Sequence, residues 1–488
     1  MQDLGFDTTQ ILIGGHWRAC SSGRTLALAN PSDGSELARI ARGEAADIDA
    51  AVQAAQAALD DRRAGAWGML SATERGRILM KMSALVLEQA DALARLEALD
   101  VGKPLKQGRA DAVALARYLE FYGGAADKVM GETIPFANGY AALTWREPHG
   151  VTAHIVPWNY PMQIIGRSVG AALAMGNACV LKPAEEACLT ALAFAHIAQQ
   201  AGLPDGALNV VPGLGEEAGA ALSVHPGVRH ISFTGSVAVG RLIQIAAARN
   251  AVPVTLELGG KSPQIVFADA DLDAALPFLV NAGIQNAGQT CSAASRILVQ
   301  RPVYDAVRAR MAERYRALRV GPALADPDVG PVISARQREI VQGYLDLVRE
   351  GGVQVAAQAS LAADLPAGGY WVAPTLLAEL DATHRLAQEE IFGPAQALIA
   401  FDDEEQAVAI ANGTPYGLVA GVWTRDGSRA LRMARRLQCG QVFVNNYGAG
   451  GGIELPFGGV KHSGHGREKG FEALYGFSTL KTVAIKHD

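Results

Sequence analysis

Three residues of this chain, Cys291, Glu257 and Asn159, are of the types needed to oxidise an aldehyde through a thioester. A cysteine thiolate can attack a carbonyl carbon, which gives a thiohemiacetal whose oxyanion needs hydrogen-bond donors. An asparagine amide can supply such a donor, and a glutamate carboxylate can act as the base. Each residue alone would be a weak indication of function, whereas the three together indicate this chemistry.

The local sequence around two of these residues supports the interpretation. Gly288 lies three residues before Cys291 and lets the backbone turn, so that the thiol can face a cleft. Asn159 lies between Pro157 and Pro161, which restrict the backbone and would hold the amide at the end of a strand. Loss of one oxyanion donor typically lowers the rate of such enzymes about 10²–10³-fold.

Glu257 follows an apolar run and precedes two glycines. A carboxyl group at the edge of an apolar site can have a raised pKa and act as a base near neutral pH. The alternatives are ordinary structural roles: a salt bridge for Glu257, a turn for Asn159 and a buried thiol for Cys291. We expect that structural role for the other cysteines, which are Cys20, Cys179, Cys188 and Cys439.

These residues need a scaffold that brings distant segments together, and the pattern from Val151 onward predicts one. Short apolar runs alternate there with helical segments, as in βαβ units that form a parallel sheet with helices on both faces. Such sheets bind ligands beyond the carboxyl ends of their strands. The predicted strands are 151–156, 178–181, 208–211, 230–233 and 254–258. The residues at their ends are Asn159, Lys182, Gly213, Gly235 and Glu257.

Two of these strand ends carry motifs that could bind a dinucleotide. Residues 233–236 follow a strand and open a helix, where Ser236 and the helix N-terminus could hold a pyrophosphate. The spacing from Gly235 to Gly240 is a variant of the usual glycine pattern, and ordinary helix capping is the alternative. Residues 182–185 follow another strand and end in a glutamate, although the segment could also be a solvated loop.

An acidic side chain near a ribose can bind its hydroxyls and repel a 2′-phosphate, which favours NAD and makes NADP the less favoured cofactor. Glu185 is the residue that would do so. Further along the chain, Glu390 and Phe392 pair a carboxylate with an aromatic ring. This pair could hold a nicotinamide ribose and its ring, whereas physical grounds alone would assign the segment as a loop.

The region before the predicted sheet is largely helical by pattern, over the first 125 residues. Ile48, Val52, Ala55 and Leu59 fall on one face of a helix that starts near Asp47. Further on, a capping box marks the start of one long helix that ends near residues 102–104. The two residues of this box are Ser71 and Glu74.

Two further parts of the chain complete the predicted architecture. A second α/β stretch runs roughly from residue 260 to residue 458. Residues 479–485 alternate like a strand, and residues 141–147 could be the partner strand. Both lie far in sequence from the main sheets, so we interpret them as an oligomerisation arm.

Composition and charge exclude several classes of protein. The apolar fraction of 49% and charged fraction of 19% are globular, and 488 residues predict two or three domains. The net charge of −6 indicates no nucleic-acid or anionic-membrane surface. No signal peptide is expected at the N-terminus, and no apolar run approaches the roughly 20 residues of a spanning helix. The five scattered cysteines fit free thiols in a reducing cytoplasm, and no Cys or His spacing indicates a metal site.

Seven strings of the sequence resemble the motifs of the aldehyde dehydrogenase superfamily in order and spacing, and the resemblance covers nearly the whole chain. The strings are 157–161, 182–185, 233–236, 257–261, 288–291, 390–394 and 456–459. The resemblance implies an α/β fold of three domains. These are a Rossmann-like cofactor domain (1–125 and 149–258), an α/β catalytic domain (259–460) and a small β arm (126–148 and 461–488). The arm would join subunits into homodimers or homotetramers.

The resemblance also implies the roles of the site residues by position. Cys291 would be the nucleophile, Glu257 the general base and Asn159 an oxyanion ligand. The residues expected to hold NAD are Trp158, Lys182, Glu185, Gly213, Gly235, Ser236, Glu390 and Phe392. The implied reaction is NAD-dependent oxidation of an aldehyde to its acid. Branches of the family that transfer the acyl group to coenzyme A usually lack the glutamate, so its presence favours hydrolysis.

Family position further implies which residues line the substrate entrance. These are Tyr160, Ile164, Arg167, Gln285, Thr290, Ser292 and Phe457. Arg167 stands where many relatives have tryptophan, and some semialdehyde dehydrogenases use arginine there to pair with a distal carboxylate. Gln285 occupies the position of the second arginine of that clamp, so a structural ion pair for Arg167 is an equal alternative.

Residues 447–454 are glycine-rich where relatives often place an aromatic ring, which predicts a roomier entrance. Glu454 could favour a cationic substrate or neutralise Arg167 or Lys461. We expect a medium or bulky aldehyde, either aliphatic, aromatic or a semialdehyde. The rival functions are a coenzyme A-acylating semialdehyde dehydrogenase, an esterase without redox chemistry, and a non-catalytic cofactor-binding structural protein, because a fold alone does not fix function.

Overall fold

The fold is seen in a computed structural model that describes residues 5–60, 66–350, 353–448 and 452–487. Two large sheets, each with its own hydrophobic core and helices, form two α/β units. A three-stranded sheet and a two-stranded ribbon complete the described part of the chain. The predicted α/β fold class is therefore confirmed, and the domain boundaries stay a prediction.

The first large sheet has eight strands. They are β1 (Gln10–Ile13), β2 (His16–Ala19), β7 (Val151–Val156), β8 (Ala178–Pro183), β9 (Leu208–Val210), β10 (His230–Thr234), β11 (Val254–Glu257) and β19 (Gly464–His465). Their order is β19-β11-β10-β7-β8-β9-β1-β2, and the five strands from β11 to β9 are parallel. These five strands are the predicted ones. They are buried along their lengths, as expected for a parallel sheet covered on both faces.

The helices of this unit confirm part of the prediction and correct the rest. They are α1 (Ala45–Ala58), α2 (Ala72–Glu88), α3 (Ala90–Val101), α4 (Leu105–Ala125), α5 (Pro161–Ala174), α6 (Leu189–Ala201), α7 (Ala220–Val224) and α8 (Val237–Ala248). Ser71 and Glu74 form the expected capping box at the start of α2. The single long helix is wrong, because Gln89, with φ −102° and ψ 11°, leaves the helical region and separates α2 from α3. Gly102 then ends α3 with φ 85°.

The prediction of a largely helical N-terminal region missed four strands. Two of them are β1 and β2, and β1 joins the first large sheet through the pairing of Leu12 with Val210 on β9. The other two, β3 (Thr25–Ala29) and β4 (Glu36–Ala41), pair with each other in a separate antiparallel ribbon. A strand of four to six residues shows too few apolar–polar alternations to be told from a loop or a short helix by sequence alone. The conformation of β1 is decided instead by its pairing with β9, which lies far away in sequence.

The second large sheet has seven strands and forms the predicted second α/β region. Its strands are β12 (Pro263–Val266), β13 (Arg296–Gln300), β14 (Gln354–Gln358), β15 (Thr375–Ala378), β16 (Ala395–Phe401), β17 (Val419–Trp423) and β18 (Gln441–Val444), in the order β14-β15-β16-β13-β12-β17-β18. Only β14 is antiparallel to its neighbour within this described sheet. The later helices are α9 (Leu272–Ile284), α10 (Tyr304–Arg316), α11 (Ala335–Glu350), α12 (Arg385–Gln388), α13 (Glu404–Asn412), α14 (Gly427–Arg436) and α15 (Gly470–Gly476).

The third sheet contains residues 141–147 and 479–485, the two segments that are predicted to pair as strands. Its strands are β5 (Thr133–Ile134), β6 (Tyr140–Pro148) and β20 (Ser478–Lys486), in the order β20-β6-β5. β6 and β20 are antiparallel, with Thr479 opposite Glu147 and Ile485 opposite Ala141, so the predicted pairing is confirmed. Trp145, Leu480 and Ile485 on these strands are exposed. The role of this sheet in oligomerisation stays a prediction. Of the helices that the structure describes, none is long and apolar enough to cross a membrane.

Candidate active site

A cavity of about 540 Å³ lies where the carboxyl ends of β7, β10 and β11 meet the second α/β unit. Most of the predicted site residues line it. They are Trp158, Asn159, Tyr160, Ile164, Arg167, Gly235, Ser236, Glu257, Gln285, Thr290, Cys291, Ser292, Glu390, Phe392 and Phe457. Residues that are up to about 300 positions apart in sequence therefore share one cleft at a sheet edge, which is the usual ligand site of such folds.

The loop before Cys291 has an unusual backbone. Asn286 and Ala287 have φ values of 49° and 53°, and Gly288 follows with φ 75°. A Cβ atom at Gly288 would lie 2.1 Å from the carbonyl oxygen of Gly393, so only glycine fits there. The prediction that Gly288 permits a turn is confirmed. The turn carries the chain from the end of α9 to Cys291, whose thiol is partly exposed in the cavity.

Asn159 is held against this loop by two hydrogen bonds. Its Nδ2 donates to the carbonyl oxygen of Gln289 at 3.0 Å, and Asn286 Nδ2 donates to its backbone oxygen at 2.9 Å. The side chain of Asn159 is buried and lies beside the residues that precede Cys291. Because an amide group carries two N–H hydrogens, the same Nδ2 can also donate to an oxyanion formed at the thiol.

Glu257 ends β11 with its carboxyl group buried, at 1% exposure. Within the described ranges neither carboxyl oxygen has a hydrogen-bond partner. Burial, and secondly the nearby carboxylate of Glu468, raise the pKa of Glu257 well above its ordinary value. A Cβ at Gly458 would lie 2.8 Å from one of its oxygens, so glycine leaves room for the carboxyl group. This is the environment in which a carboxyl group can act as a base near neutral pH.

The thiol of Cys291 is neutral in the resting site. Burial raises its pKa to about 11, opposed by the guanidinium of Arg167. A thiol with this pKa is mostly protonated at neutral pH, and the thiolate is the nucleophilic form. Any reaction of Cys291 as a nucleophile would therefore require removal of this proton.

Residues from both α/β units line the part of the cavity predicted to hold the nicotinamide end of a cofactor. Glu390 accepts a hydrogen bond from the backbone N–H of Gly260 at 2.9 Å, and burial raises its pKa to about 7. The rings of Trp158 and Phe392 meet edge to face, 5.4 Å apart. Ser236 caps α8, since its hydroxyl accepts from the backbone N–H of Val239 at 3.3 Å. A ligand in this part of the cavity would therefore meet the carboxyl group of Glu390, the rings of Trp158 and Phe392, and the N-terminus of α8.

Lys182, Glu185 and Gly213 do not line the cavity, although Lys182 lies near the end of β8, Glu185 follows β8 and Gly213 follows β9 at the same edge of the sheet. Lys182 Nζ donates to Glu185 at 2.7 Å, and the Gly215 N–H donates to the other oxygen of that carboxylate at 3.3 Å. Burial alone would raise the pKa of Glu185, but the charge and hydrogen bond of Lys182 lower it. The carboxylate is therefore ionised at neutral pH.

Arg167 forms a buried ion pair with Glu468, a residue that sequence reasoning missed. Ser232 donates to the same carboxylate at 2.9 Å, and Arg167 Nη2 lies 3.4 Å from the hydroxyl of Thr234. The guanidinium also lies over the ring of Phe457, 4.9 Å from its centroid. Of the two roles considered for Arg167, the geometry therefore favours the structural ion pair.

Glu454 does not neutralise Arg167 or Lys461, and that part of the prediction is wrong. Its carboxylate pairs with Arg117 on α4, and Lys461 donates instead to backbone carbonyls at 2.7 and 2.9 Å. Glu454 is half exposed and does not belong to the cavity lining, so its predicted contact with substrate is not seen. Glu454 lies outside the cavity because the turn after residue 452 directs its side chain towards α4.

The glycine-rich segment is described only in part, because residues 449–451 lie outside the described residues. Tyr447 at its start lines the cavity, and its hydroxyl donates to the carbonyl oxygen of Ser292 at 2.6 Å. Phe443 lies 5.9 Å from Tyr447, ring to ring. Aromatic side chains that the sequence did not indicate therefore form one wall of the cleft.

Lys469 is another cavity residue that sequence reasoning missed. It lies just before α15, in the left-handed region with φ 62°. Nothing in its local sequence indicated a site, because it belongs to the cleft only through the packing of α15 beside α5. In the part of the chain that the structure covers, no group of three or more His, Cys, Asp or Glu residues is placed to hold a metal ion.

Comparison with known proteins agrees with this geometry. Residues 17–483 match the sequence profile described as the aldehyde dehydrogenase family. The chain is 40% identical over 474 residues to hydroxyisobutyraldehyde dehydrogenase of Mycolicibacterium austroafricanum, covering 97% of this chain and 93% of that protein.

Solved structures agree in fold as well as in sequence. A Burkholderia cenocepacia protein provisionally called an aldehyde dehydrogenase is 62% identical with a TM-score of 0.96, over 98% of this chain and 100% of that one. An NAD⁺ complex of aldehyde dehydrogenase from Bacillus cereus is 36% identical with a TM-score of 0.96, over 99% and 98% of the two chains. The chain therefore belongs to the aldehyde dehydrogenase family of oxidoreductases.

Proposed function

We propose that this protein oxidises an aldehyde to its carboxylic acid with NAD⁺, through a thiohemiacetal and a thioester on Cys291. The observation that carries this proposal is the meeting of Cys291, Glu257 and Asn159 in one cavity. These residues supply a nucleophile, a base and an oxyanion donor within one cleft. Membership of the aldehyde dehydrogenase family supports the same reaction.

In the first half of the reaction, Cys291 gives its thiol proton to solvent and the thiolate adds to the aldehyde carbon, so that a carbon–sulfur bond forms as the carbonyl π bond opens to an oxyanion. The Nδ2 group of Asn159 and the backbone N–H of Cys291 donate to the oxyanion that develops. Glu390 and Phe392 would hold the nicotinamide end of NAD⁺, which would supply the acceptor for the hydride that leaves the thiohemiacetal carbon. In the second half, Glu257 removes a proton from water, which attacks the thioester and returns the thiol of Cys291 with release of the acid.

The residues present fit a dinucleotide. The N-terminus of α8, with Ser236, suits a pyrophosphate, and the ionised Glu185 beside Lys182 suits ribose hydroxyls. Glu390 and Phe392 suit the nicotinamide ribose and ring, since both line the cavity close to Cys291. The Bacillus cereus enzyme, solved as an NAD⁺ complex, supports the choice of nicotinamide cofactor.

Glu185 is expected to set the preference for NAD⁺ over NADP⁺. Its carboxylate is ionised, so a 2′-phosphate placed beside it would be repelled. Replacing Glu185 by serine should raise the NADP⁺-to-NAD⁺ ratio of kcat/KM by about tenfold or more, since each 1.4 kcal/mol of lost repulsion is a factor of ten. The measurement is kcat/KM for both cofactors with one aldehyde. An unchanged ratio would mean that another residue sets the preference.

The substrate is proposed to be a medium or bulky aldehyde. A cavity of about 540 Å³ with walls that include Trp158, Tyr160, Phe443 and Phe457 suits such a molecule better than acetaldehyde. A relative named for hydroxyisobutyraldehyde supports an aldehyde larger than acetaldehyde.

A substrate panel tests the proposed reaction. NADH absorbance would be followed with NAD⁺ and aldehydes from acetaldehyde through long-chain, aromatic and carboxy-aldehydes, without coenzyme A. We expect NADH to form and the larger aldehydes to be preferred. Turnover only of acetaldehyde-sized substrates would contradict the predicted size. No NADH until coenzyme A is added would instead support the acylating alternative, in which free thiol replaces water as the acyl acceptor.

The three-stranded sheet is proposed to join subunits into a homodimer or homotetramer. The exposed apolar side chains of Trp145, Leu480 and Ile485 on this sheet, and of Phe136 in the connection between β5 and β6, support this role. An exposed strand edge with apolar side chains is stabilised when a second chain covers it.

A further inference from the structure

The hydroxyl of Tyr160 binds the residue that precedes Cys291. The Thr290 hydroxyl donates to the carbonyl oxygen of Gln285 at 3.4 Å, and a hydroxyl carries a single hydrogen. The hydrogen bond of 3.0 Å between Tyr160 and Thr290 Oγ1 is therefore donated by the tyrosine. Because Thr290 adjoins Cys291, this bond restrains the chain on one side of the thiol.

The hydroxyl of Tyr447 binds the residue that follows Cys291. It donates to the backbone carbonyl oxygen of Ser292 at 2.6 Å. A Cβ atom at Gly421 would lie 3.0 Å from Cδ2 of Tyr447, so glycine leaves room for the ring beside β17. Tyr160 and Tyr447 both line the cavity. Two phenol hydroxyls therefore hold the chain on either side of one cysteine.

The ring of Tyr160 lies against a buried cation. Lys103 Nζ is 4.1 Å from the centroid of this ring, and it donates to Glu97 at 2.9 Å and to Asp111 at 2.5 Å. All three charged side chains are buried. Burial lowers the pKa of Lys103, but the charges of Asp111 and Glu97 outweigh it and raise that pKa overall, so the group stays an ammonium. A desolvated ammonium is attracted to an aromatic face, which opposes movement of Tyr160.

The loop before Cys291 needs such contacts because its backbone is strained. Asn286 and Ala287 lie in the left-handed region, with φ 49° and 53°. Conformations of this kind persist where the surrounding structure holds them. Gln107, four residues after Lys103, is one further support, since its Oε1 accepts from the backbone N–H of Asn286 at 2.9 Å. The position of the thiol therefore depends on side chains from outside the loop.

Resting on the proposed function, we propose that Tyr160 and Tyr447 are positioning residues that hold Cys291 for attack on the aldehyde, with Lys103 fixing the ring of Tyr160. The sulfur and the backbone N–H of Cys291 must meet the same carbonyl group, and a misplacement of about 1 Å can cost about 10²-fold in rate. Burial raises the pKa of both phenols, so both hydroxyls remain donors at neutral pH.

The first test replaces each tyrosine by phenylalanine, which keeps the ring and removes the hydroxyl. We expect kcat to fall about twofold to tenfold in Tyr160→Phe and in Tyr447→Phe, the usual effect of losing one hydrogen bond. The double variant should lose more than the product of the two effects, because either hydroxyl alone still restrains the loop. KM for the aldehyde and the affinity for NAD⁺ should change little. A raised KM with unchanged kcat would overturn the assignment, because the hydroxyls would then act in substrate binding.

Thr290 tests the route from Tyr160 to Cys291. Thr290→Val removes the accepting hydroxyl, so it should lower kcat as Tyr160→Phe does, and the two changes combined should add little. Thr290→Ser keeps the hydroxyl and should retain most of kcat. Effects of Thr290→Val and Tyr160→Phe that multiply independently would overturn this route. The control is Tyr304→Phe on α10, which removes a buried hydroxyl that accepts from the N–H of Glu379 at 2.8 Å and should leave kcat unchanged.

Lys103 is tested together with Asp111. Lys103→Met alone would leave the carboxylate of Asp111 buried without its cation, so Asp111→Asn is added. This neutral pair should lower kcat, and Tyr160→Phe should then cost less than it does in the unchanged protein. An effect of Tyr160→Phe that is not reduced in this background would overturn the role of Lys103.

Hydrogen exchange separates this assignment from the proposed reaction. The exchange of the backbone amides of residues 289–293 is followed by mass spectrometry without any aldehyde. Faster exchange in Tyr160→Phe and Tyr447→Phe, but not in Tyr304→Phe, would support the positioning role even if no aldehyde were oxidised. Unchanged exchange in both variants would overturn it even if the enzyme were active. Absence of NADH formation with every aldehyde would reject the proposed function alone.

Discussion

Replacing Cys291 by alanine is expected to abolish aldehyde oxidation, with kcat lowered by more than about 10⁴-fold. Loss of a covalent nucleophile has cost on the order of 10⁶-fold in other enzymes, because the remaining groups cannot form the covalent intermediate. The measurement is the rate of NADH formation with the best aldehyde of the panel. NAD⁺ affinity, measured separately by calorimetry, should change little, because the adenosine end is expected near Lys182 and Glu185.

Cys439→Ala is the matched control for this variant. Cys439 is also partly exposed, and burial raises its pKa to about 11 as well, but it does not line the cavity. This variant should keep its activity. A Cys291→Ala protein that retains more than a few per cent of the activity would contradict the thioester route. A loss shared by Cys439→Ala would indicate that the change acts through the fold.

The pH dependence of alkylation tests the state of the same thiol. Because burial raises the pKa of Cys291 to about 11, its reaction with iodoacetamide should be slow at neutral pH and accelerate as the pH rises towards that value. Fast, pH-independent inactivation at neutral pH would mean that the resting group is already a thiolate. Mass analysis of the alkylated peptide identifies which cysteine has reacted.

Replacing Glu257 by glutamine is expected to slow steady-state turnover about 10²–10⁴-fold, the usual contribution of a general base. Glutamine keeps the shape of the side chain in its buried position and removes the ability to accept a proton. Hydride transfer precedes hydrolysis, so the variant should release a burst of up to one NADH per site and then turn over slowly. Intact-mass measurement during the slow phase should find the acyl group attached to Cys291.

The alternative role for Glu257 is activation of the thiol itself. In that case the burst and the slow phase would be reduced together, and no acyl-enzyme would accumulate. The pH profile gives a second readout. Because burial and Glu468 raise the pKa of Glu257, deacylation should increase as the pH rises through that pKa, and Glu257→Gln should remove this dependence. Glu88→Gln, an exposed residue on α2, is the control and should behave like the unchanged protein.

Much of the site could be predicted from local sequence, since its chemistry is carried by short motifs at strand ends. Five buried apolar runs predicted the five parallel strands, because a strand covered on both faces must be apolar along its length. Once those strands are parallel, their carboxyl ends lie at one edge. Asn159, Gly235 and Glu257 must then be neighbours, as the structure shows.

Other features depend on contacts between segments with no local signal. The strands β1 and β2 are too short for an apolar–polar alternation to identify them as strands. The break between α2 and α3 at Gln89 is marked by no proline or glycine. The sequence offers Arg167 or Lys461 as ion-pair partners of Glu454, but its carboxylate pairs with Arg117 on α4. Sequence reasoning fails at such positions because a long charged side chain can reach many partners.

The sequence by itself determined the reaction class, since Cys291, Glu257 and Asn159 each lie in a recognisable local motif of the family. Only the tertiary structure decided which charged groups line the cleft. The pairing of Arg167 with Glu468 and the presence of Lys469 beside Phe457 arise from the packing of α15 and its preceding loop against α5. The physical reason is that a short motif fixes which chemical groups are present, whereas the electrostatics of a cleft depend on distances between charges that only the folded chain sets.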